Sequence, residues 1–359
     1  MAYTVPLGPY HPALEEPFKV NVQCEGEVIQ TCSIDVGFSF RGIELLAQSR
    51  NWLEVITLIE RVCGICSNTH AMTFCMACEQ IAGIEVPKRA QYIRTIIAEL
   101  ERLHSHLLWA GIGAEDIGFH SLFMEIFNLR EKIMDTLETV TGNRVNYGMN
   151  RIGGVLRDIE NPKEFIAGIE SVAGVLHKVV IPAFIENRTA RSRLAGIGPL
   201  SKEKAIEWGV VGPVARASGL DIDVRKDHPY LVYAELGFKS IARSEGDVFA
   251  RVVVRALEIA ESVRLVIEAL RNLPEGPICE QHGIPTMPVG EATMRTEAPR
   301  GECLYYVESQ GGPTPARVKI RTPSFVNIPA VEPMVLGQQL ADLSLIQASV
   351  DPCLSCTDR

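Results

Sequence analysis

The 359-residue sequence predicts a mainly α protein with small β lobes, an α+β fold built around a core of long bundled helices. Three observations predict it. Apolar residues recur at helical spacing over several long stretches, alternating apolar and polar residues are confined to the two ends, and a Cys-x-x-Cys pair stands near each end, at Cys63/Cys66 and Cys353/Cys356. Two such pairs suggest one four-thiolate metal site on which both chain ends converge.

The elements follow in order. Residues 6–16, with Pro6, Pro9 and Pro12, read as a Pro-rich opening loop. Phe18 to Cys24 alternates, and Glu27 to Cys32 follows a Glu25-Gly26-Glu27 turn, so a β-hairpin over about 17–34 is expected to be the main sheet. Ile43 to Glu60 reads as one helix, and the Cys63 pair lies in the loop between it and a helix from about Thr69 to Ile84. After Pro87, Ile93, Ile96, Ile97, Leu100, Leu103 and Leu107 repeat at helical spacing, as do Leu122, Ile126, Leu129, Ile133 and Leu137 up to Gly142. Another helix starts after Asn161-Pro162 and is expected to stop before Pro182. A further one runs from a Ser244 or Asp247 cap to Leu270, with Asn272 and Pro274 as its stop. The bundle thus spans about 43–273. From about 285 the helical signal fades: Leu304–Val307 and Ala316–Ile320 read as strands around a Gln310–Pro313 turn. A last helix, about Val331 to Ser349, delivers the tail. With no repeat and no linker, residues 1–359 are expected to form one domain.

A net charge of -9 argues against nucleic acid as a partner, since phosphate contacts require a basic face. The apolar share is 47%, yet its most apolar stretches, 172–184 and 252–270, are interrupted by His177, Lys178, Arg255, Glu258 and Arg264. Membrane attachment is therefore expected through partner subunits. The Met1 to Pro6 start lacks the basic and apolar regions of an export signal, so the ten cysteines read as reduced, cytoplasmic thiols. Six stand outside the two pairs, Cys24, Cys32, Cys75, Cys78, Cys279 and Cys303, and read as small buried hydrophobes; Cys75-Met76-Ala77-Cys78 is packing on a helix.

Four thiolates suit zinc, an iron–sulfur cluster or nickel, and sulfur alone would favour zinc. The neighbours change that. Arg61-x-Cys63-Gly64-x-Cys66-x-x-x-His70, Asp351-Pro352-Cys353-x-x-Cys356-x-x-Arg359, Arg41-Gly42-Ile43-Glu44 and Glu297-Ala298-Pro299-Arg300-Gly301 resemble the large, catalytic subunit of NiFe hydrogenases. The final arginine, the Gly8-Pro9-x-His11-Pro12 start and the Gly- and Arg-rich loops at 150–154, 212–219 and 223–225 lean towards the membrane-associated, energy-converting (Ech-type) members, related to the 49-kDa-type subunit of respiratory complex I. Those middle loops are expected to serve the fold and subunit contacts.

The resemblance implies Cys63 and Cys353 as terminal nickel ligands, and Cys66 and Cys356 as bridges to an iron carrying CO and cyanide. Cleaving dihydrogen into hydride and proton requires a base beside the metals. The Cys353 sulfur and Arg300 are the candidates, and Arg300, always charged, better orients diatomic ligands and polarises hydrogen. Glu15, with Glu16 as second choice, is expected to relay the proton. Glu44 matches the position that binds a second-shell magnesium, but Arg359 stands where most of the family has a histidine. Arg359 is therefore expected to pair with Glu44 or a nearby carboxylate, which puts in doubt the magnesium that the resemblance implies at Glu44. His70 is expected to hydrogen-bond a bridging sulfur, Pro323 and Ser324 of Thr322-Pro323-Ser324 to face the cyanides, and Asp351 to support the C-terminal pair. His104-Ser105-His106 could serve the site or the fold.

By the same resemblance, electrons pass through an iron–sulfur small subunit and a ferredoxin-type iron–sulfur subunit to or from ferredoxin. Integral membrane subunits couple this to ion translocation, and the chain sits peripherally on the cytoplasmic side. Iron–sulfur clusters are expected in the partners only, because the chain has no ferredoxin-type run of cysteines. The rivals are a complex-I-like quinone-site or connector subunit, a formate- or CO-linked hydrogenase, and a structural zinc scaffold. Four retained cysteines weigh against the first; Glu44 and Arg300 weigh against zinc.

Overall fold

At the N-terminus of the computed structural model, which describes residues 2–12, 14–280 and 287–359, lies an antiparallel sheet in the order β1-β2-β3. The expected hairpin is β2 (Lys19–Glu25) and β3 (Val28–Asp35), with Val20, Val22 and Cys24 alternating into the core. β1 (Ala2–Leu7) pairs with β2, and Val5 and Leu7 pack half-buried against the core on either side of exposed Pro6. That alternation covers three residues, too few for sequence reasoning to find.

The expected helix from Ile43 to Glu60 is two helices, α1 (Ile43–Ala47) and α2 (Trp52–Glu60). Asn51 separates them: its side chain accepts from Leu53 and Glu54 N–H while Glu54 accepts from the Asn51 N–H, a capping box that starts a new helix. α3 (Ser67–Ala82), α4 (Lys88–Asp116) and α5 (His120–Thr141) follow, the last closed by Gly142 in the left-handed region. The two-residue strands β4 (Asn150–Arg151) and β5 (Gly154–Val155) come next. α6 (Pro162–Val175) then runs through a π-helical turn at Leu176–Val180 into α7 (Ile181–Ile185). The expected stop at Pro182 does not occur, because the wider π turn resets the hydrogen-bond register and Pro182 falls in a first turn where its missing N–H is tolerated. By length and composition, residues 162–185 could cross a membrane, with mean hydropathy 1.5; here they pack on α5 and α12 (Val248–Arg271).

Four short helices lie before α12: α8 (Arg188–Leu194), α9 (Lys202–Glu207), α10 (Gly212–Ala217) and α11 (Val224–Asp227). Asp247 caps α12 by accepting from Ala250 N–H, and Asn272 ends it.

The boundary expected near 285 lies outside the described residues. Beyond it the second antiparallel sheet, β6 (Val289–Ala298), β7 (Gly301–Gln310) and β8 (Arg317–Arg321), has strands of up to 10 residues, longer than those of the N-terminal sheet expected to be the main one. The Pro299-Arg300 turn joins β6 to β7, so Arg300 stands at a hairpin tip. After α13 (Pro323–Asn327), the helix expected over 331–349 is broken into α14 (Val331–Val335) and α15 (Leu343–Val350), because Leu336 is extended and Gly337 has φ 76°. α16 (Leu354–Thr357) carries the tail.

Two apolar clusters organise the packing. One joins the N-terminal sheet to the long helices through residues such as Val22, Leu100, Leu129 and Val266. The other lies between α2, α3 and the second sheet, around Trp52, Phe74 and Tyr305, and holds all four cysteines of the two pairs.

Candidate metal centre

The two pairs meet. Cys63 Sγ lies 3.5 Å from Cys353 Sγ and Cys66 Sγ lies 3.4 Å from Cys356 Sγ, and none of the four residues is more than 3% exposed. These separations are far beyond the ~2 Å of a disulfide, and all four are free thiols. Sulfur atoms of Cys63, Cys66 and Cys356 lie within 4.8 Å of one another, and Cys353 joins them through Cys63. Backbone N–H groups of Ile65 and Cys66 point at Cys63 Sγ, at 3.3 and 3.4 Å. Hydrogen bonds to Cys356 and Cys63 lower Cys66 towards the thiolate that a metal binds, while contacts with Cys353, Cys63 and Cys66 raise Cys356. A buried set of four soft donors with no disulfide fits nickel, iron or zinc as a donor set.

Side chains from distant elements hold the two loops together. Arg41 donates to the carbonyls of Arg61 and Val62, at 2.7 and 2.9 Å, and to the Ser355 carbonyl, so one guanidinium ties both cysteine loops. Thr322 Oγ1 donates to the Cys356 carbonyl at 3.1 Å, and Ser324 Oγ accepts from Cys353 N–H at 3.1 Å. Pro323 between them is buried at the start of α13. Asp358 accepts from Gly37 and Ser39 N–H, both at 2.9 Å, fastening the tail to the loop after β3.

The first turn of α3 presents Cys66 and His70. Its orphan N–H groups at Asn68 and Thr69 donate to the buried carboxyl of Glu101 on α4, at 2.6 and 3.0 Å. Burial pushes Glu101 up to about 8 despite these bonds. His70 Nδ1 is 2.6 Å from the Tyr305 hydroxyl and Nε2 is 3.4 Å from Cys356 Sγ. Burial lowers His70 to about 4, so the ring is neutral; with Tyr305 donating to Nδ1, the remaining N–H points at the sulfur. His104 is turned to the loop instead: Nε2 lies 3.0 Å from the Ile65 carbonyl and 2.9 Å from the Tyr147 hydroxyl. His106 contacts Glu258 rather than this site.

Arg300 donates from Nε to the Asp351 carbonyl (2.9 Å) and from a terminal nitrogen to Asp351 Oδ1 (2.7 Å), while its other arm reaches Ser105 Oγ at 3.4 Å. Burial works to lower its pKa, but Asp351 and the thiols of Cys353, Cys63 and Cys66 more than offset this, so the guanidinium stays charged. Asp351 ends α15 with φ 58°, a left-handed conformation that Asp tolerates, and so turns the chain towards Cys353. Gly212 explains part of the neighbouring loop: a Cβ there would lie 2.4 Å from the Arg300 carbonyl oxygen, so only glycine lets α10 back directly onto the hairpin tip.

Glu16 is half-buried and its carboxylate accepts from Leu354 N–H, beside Cys353, whereas Glu15 is exposed. Burial, then the Cys353 charge, raises Glu16 to about 7. Loss of hydration, then the Asp351 charge, pushes Glu15 up as well, but water reaches its exposed side chain and screens both effects. Glu44 accepts from Arg359 Nε (2.9 Å), Lys319 Nζ (2.9 Å) and Ile320 N–H (3.0 Å). Two cationic groups already occupy its oxygens, so the donor set does not fit magnesium, and the ion pair expected from Arg359 is present. Beside it opens a cleft of about 650 Å³ lined by Phe40, Leu45, Phe325 and Arg359 among others.

The sequence reading gives no separate role to Arg41, Glu101 or Tyr305. Arg41 carries a signal as the first residue of its motif, and Ser105 as part of His104-Ser105-His106; Glu101 and Tyr305 act from helix and strand interiors. Cys24, Cys75, Cys78 and Cys303 are buried as expected, and burial pushes the last three well up, whereas Cys32 and Cys279 are only half-buried.

Two family models match this chain. The respiratory-chain NADH dehydrogenase 49-kDa subunit matches over residues 116–286 and 281–359, and the nickel-dependent hydrogenase model matches residues 41–110, which include Cys63 and Cys66. The chain therefore belongs to the family that joins the large subunits of membrane-bound NiFe hydrogenases to the 49-kDa-type subunits of respiratory complexes. It is 43% identical to the carbon monoxide-induced hydrogenase of Rhodospirillum rubrum, over 99% of both chains. It is 41% identical to the alpha subunit of the membrane-bound hydrogenase of Pyrococcus furiosus, over 99% of this chain and 87% of that one. It is also 36% identical to an NADH-quinone oxidoreductase subunit of Clostridium beijerinckii, over 99% and 97%. A chain of the archaeal membrane-bound sulfane sulfur reductase has the same fold, with a TM-score of 0.94 and 35% identity over 100% and 98% of the two chains.

Proposed function

We propose that this chain is the catalytic subunit of an energy-converting NiFe hydrogenase, splitting and forming dihydrogen reversibly. One observation carries the reading: four free, buried thiols converge from the two chain ends with a charged guanidinium and a neutral imidazole beside them. A quinone-site subunit has no need of that donor set, and a structural zinc would not call for Arg300 and Glu16. When bound, a nickel–iron group carrying CO and cyanide would supply the redox and Lewis-acid chemistry, and Cys63, Cys66, Cys353 and Cys356 would hold it.

The chain's own residues supply the rest. Cys353 Sγ is the base that takes the proton of dihydrogen, and Glu16, bonded to the next N–H, passes it outward. Arg300 cannot be that base because it stays charged; fixed by Asp351, it holds positive charge beside the Cys353, Cys63 and Cys66 thiols. His70 donates to Cys356 and so limits the basicity of that sulfur. Ser324 bonds the Cys353 N–H and Pro323 is buried beside it, so these two residues would help enclose the group's polar diatomic ligands.

Electrons must leave through a partner. Phe40, Leu45 and Phe325 are exposed around the Arg359 cleft, a surface suited to an iron–sulfur small subunit. A ferredoxin-type subunit, ferredoxin and ion-translocating membrane subunits complete the assembly, with this chain peripheral on the cytoplasmic side. The names of the relatives support a membrane-bound complex.

The test is an infrared spectrum of the purified complex with nickel and iron analysis. CO and cyanide stretches with one nickel per chain are expected. Zinc in place of nickel, without those bands, would refute the reading.

A further inference from the structure

Away from the thiols, the middle loops bury a second ionic cluster. Glu99, Arg102 and His106 come from α4, Arg216 from α10, Asp223 and Arg225 from the start of α11, Glu258 from α12 and Glu297 from β6, none more than 3% exposed. Arg216 is the hub, 2.7 Å from Glu297, 3.0 Å from Asp223 and 3.0 Å from Glu258 Oε1. Arg225 pairs with Asp223 at 2.8 Å and with Glu99 at 3.2 Å. Arg102 pairs with Glu99 at 3.3 Å, and His106 Nε2 lies 2.9 Å from Glu258 Oε2.

The charges do not balance. Burial lowers His106 against the pull of Glu258, and its Nδ1 has no partner among the described residues, as expected of a neutral ring donating from Nε2. Four carboxylates then face three guanidiniums, an excess of one buried negative charge. Arg255, one turn before Glu258, does not repair this: its guanidinium bonds the carbonyls of Ser349 and Val350, stacks on Trp109 and faces Asp351. Lone buried charge is costly, and one added proton removes it.

Glu297 is where a proton can arrive. It lines a cavity of about 220 Å³ with Asp223, Asp227, His228, Arg295 and Glu302, room for several waters. It is also the carboxyl with a reason to be protonated: burial first, then Asp223, raise it to about 7 against Arg216 and Arg225. Besides the Arg216 bond, its carboxyl accepts from Val224 N–H at Oε2, at 3.2 Å.

We propose that this cluster is a one-proton site, filled from water through the cavity at Glu297, whose charge state is felt at Arg300. The proton forms an O–H bond on Glu297 and takes the cluster from one negative charge to none; no other bond changes. Transmission is short. Glu297 stands three residues before Arg300 on one hairpin, Arg102 donates to the Glu297 and Ala298 carbonyls at 2.6 and 3.0 Å, and α4 also supplies the Ser105 that Arg300 touches. Proton binding does not depend on the hydrogenase reading; its effect on turnover does.

The experiment is a pH titration of the purified complex by infrared difference spectroscopy. A protonated-carboxyl band, shifted in heavy water, is expected to appear as pH falls through about 7 and to be missing in Glu297→Gln. Asp223→Asn removes the neighbouring negative charge and frees Arg216 and Arg225, so the band should persist with about tenfold weaker proton affinity, its midpoint at lower pH. Turnover should show a pH step at the same midpoint in wild type and a shifted step in Asp223→Asn. A band that survives Glu297→Gln, or a midpoint unmoved by Asp223→Asn, overturns the site. A normal titration with a flat turnover profile overturns the link to Arg300. A titration without CO and cyanide bands keeps the proton site and rejects the hydrogenase reading instead.

Discussion

Arg359 Nε lies 2.9 Å from Glu44 Oε1, so a side chain of the tail pairs with the carboxylate at which the family resemblance implies magnesium. Lys319 fills the other oxygen. The expected consequence is indifference to magnesium: prolonged chelation should leave thermal stability and turnover unchanged. Arg359→Ala should lower the unfolding free energy by about 1 kcal/mol, the scale of a partly exposed pair, read by denaturant titration. Loss of activity on chelation, restored by magnesium alone, would show that a cation displaces the ion pair.

The Arg300–Asp351 pair predicts a different response. Both side chains are 5% exposed, and the guanidinium uses two nitrogens on one residue, which lysine cannot reproduce. Arg300→Lys should keep nickel and the CO and cyanide bands while lowering turnover by roughly 10² to 10³, the effect of losing one oriented donor at a reacting centre. Full activity in that variant would make Arg300 a structural residue.

Much of this site was legible because the chemistry is local in sequence. Each Cys-x-x-Cys turn is a short stretch, and the Glu297–Gly301 tip is a hairpin turn; such motifs announce themselves. The long helices were legible through their spacing, and Asp247 and Gly142 through their caps. What was hidden depends on distance. Asn51 divides a helix whose apolar periodicity continues across the break, and β1 forms an edge strand in which only Val5 and Leu7 meet the core. Arg216 and Glu297 carry no mutual signal in sequence and meet only because Gly212 permits α10 to touch the hairpin. Pairings across 81 residues have no periodic signature.

Glu101 belongs to that hidden class and gives a third prediction. It accepts from Asn68 and Thr69 N–H and so caps, from another helix, the turn that carries Cys66 and His70. Glu101→Ala leaves two buried N–H groups without a partner and should cost about 1–3 kcal/mol. Because the turn holds a metal ligand, nickel content should fall with stability. Glu101→Gln retains an acceptor and should recover most of both. Equal nickel content in wild type and Glu101→Ala would show that the loop holds its shape without the cap.

The last prediction separates two adjacent carboxylates. Glu15 and Glu16 are equivalent to sequence reasoning, which favoured Glu15, but only Glu16 bonds the backbone beside Cys353. Its carboxyl is raised to about 7 by burial and by the Cys353 charge, against the Leu354 hydrogen bond. A group with that value passes protons in either direction near neutral pH, whereas an ordinary carboxylate releases them too readily to return them. Glu15 is pushed up too, by lost hydration and by Asp351, so pKa does not separate the pair; contact with the Cys353 loop does. Glu16→Gln keeps an acceptor for Leu354 N–H, so the fold and metals should persist while hydrogen–deuterium exchange falls on the order of 10²-fold. Glu15→Gln should exchange at nearly the wild-type rate. The reverse pattern, slow exchange in Glu15→Gln and normal exchange in Glu16→Gln, would move the relay to the exposed residue and leave Glu16 as an anchor for the C-terminal loop.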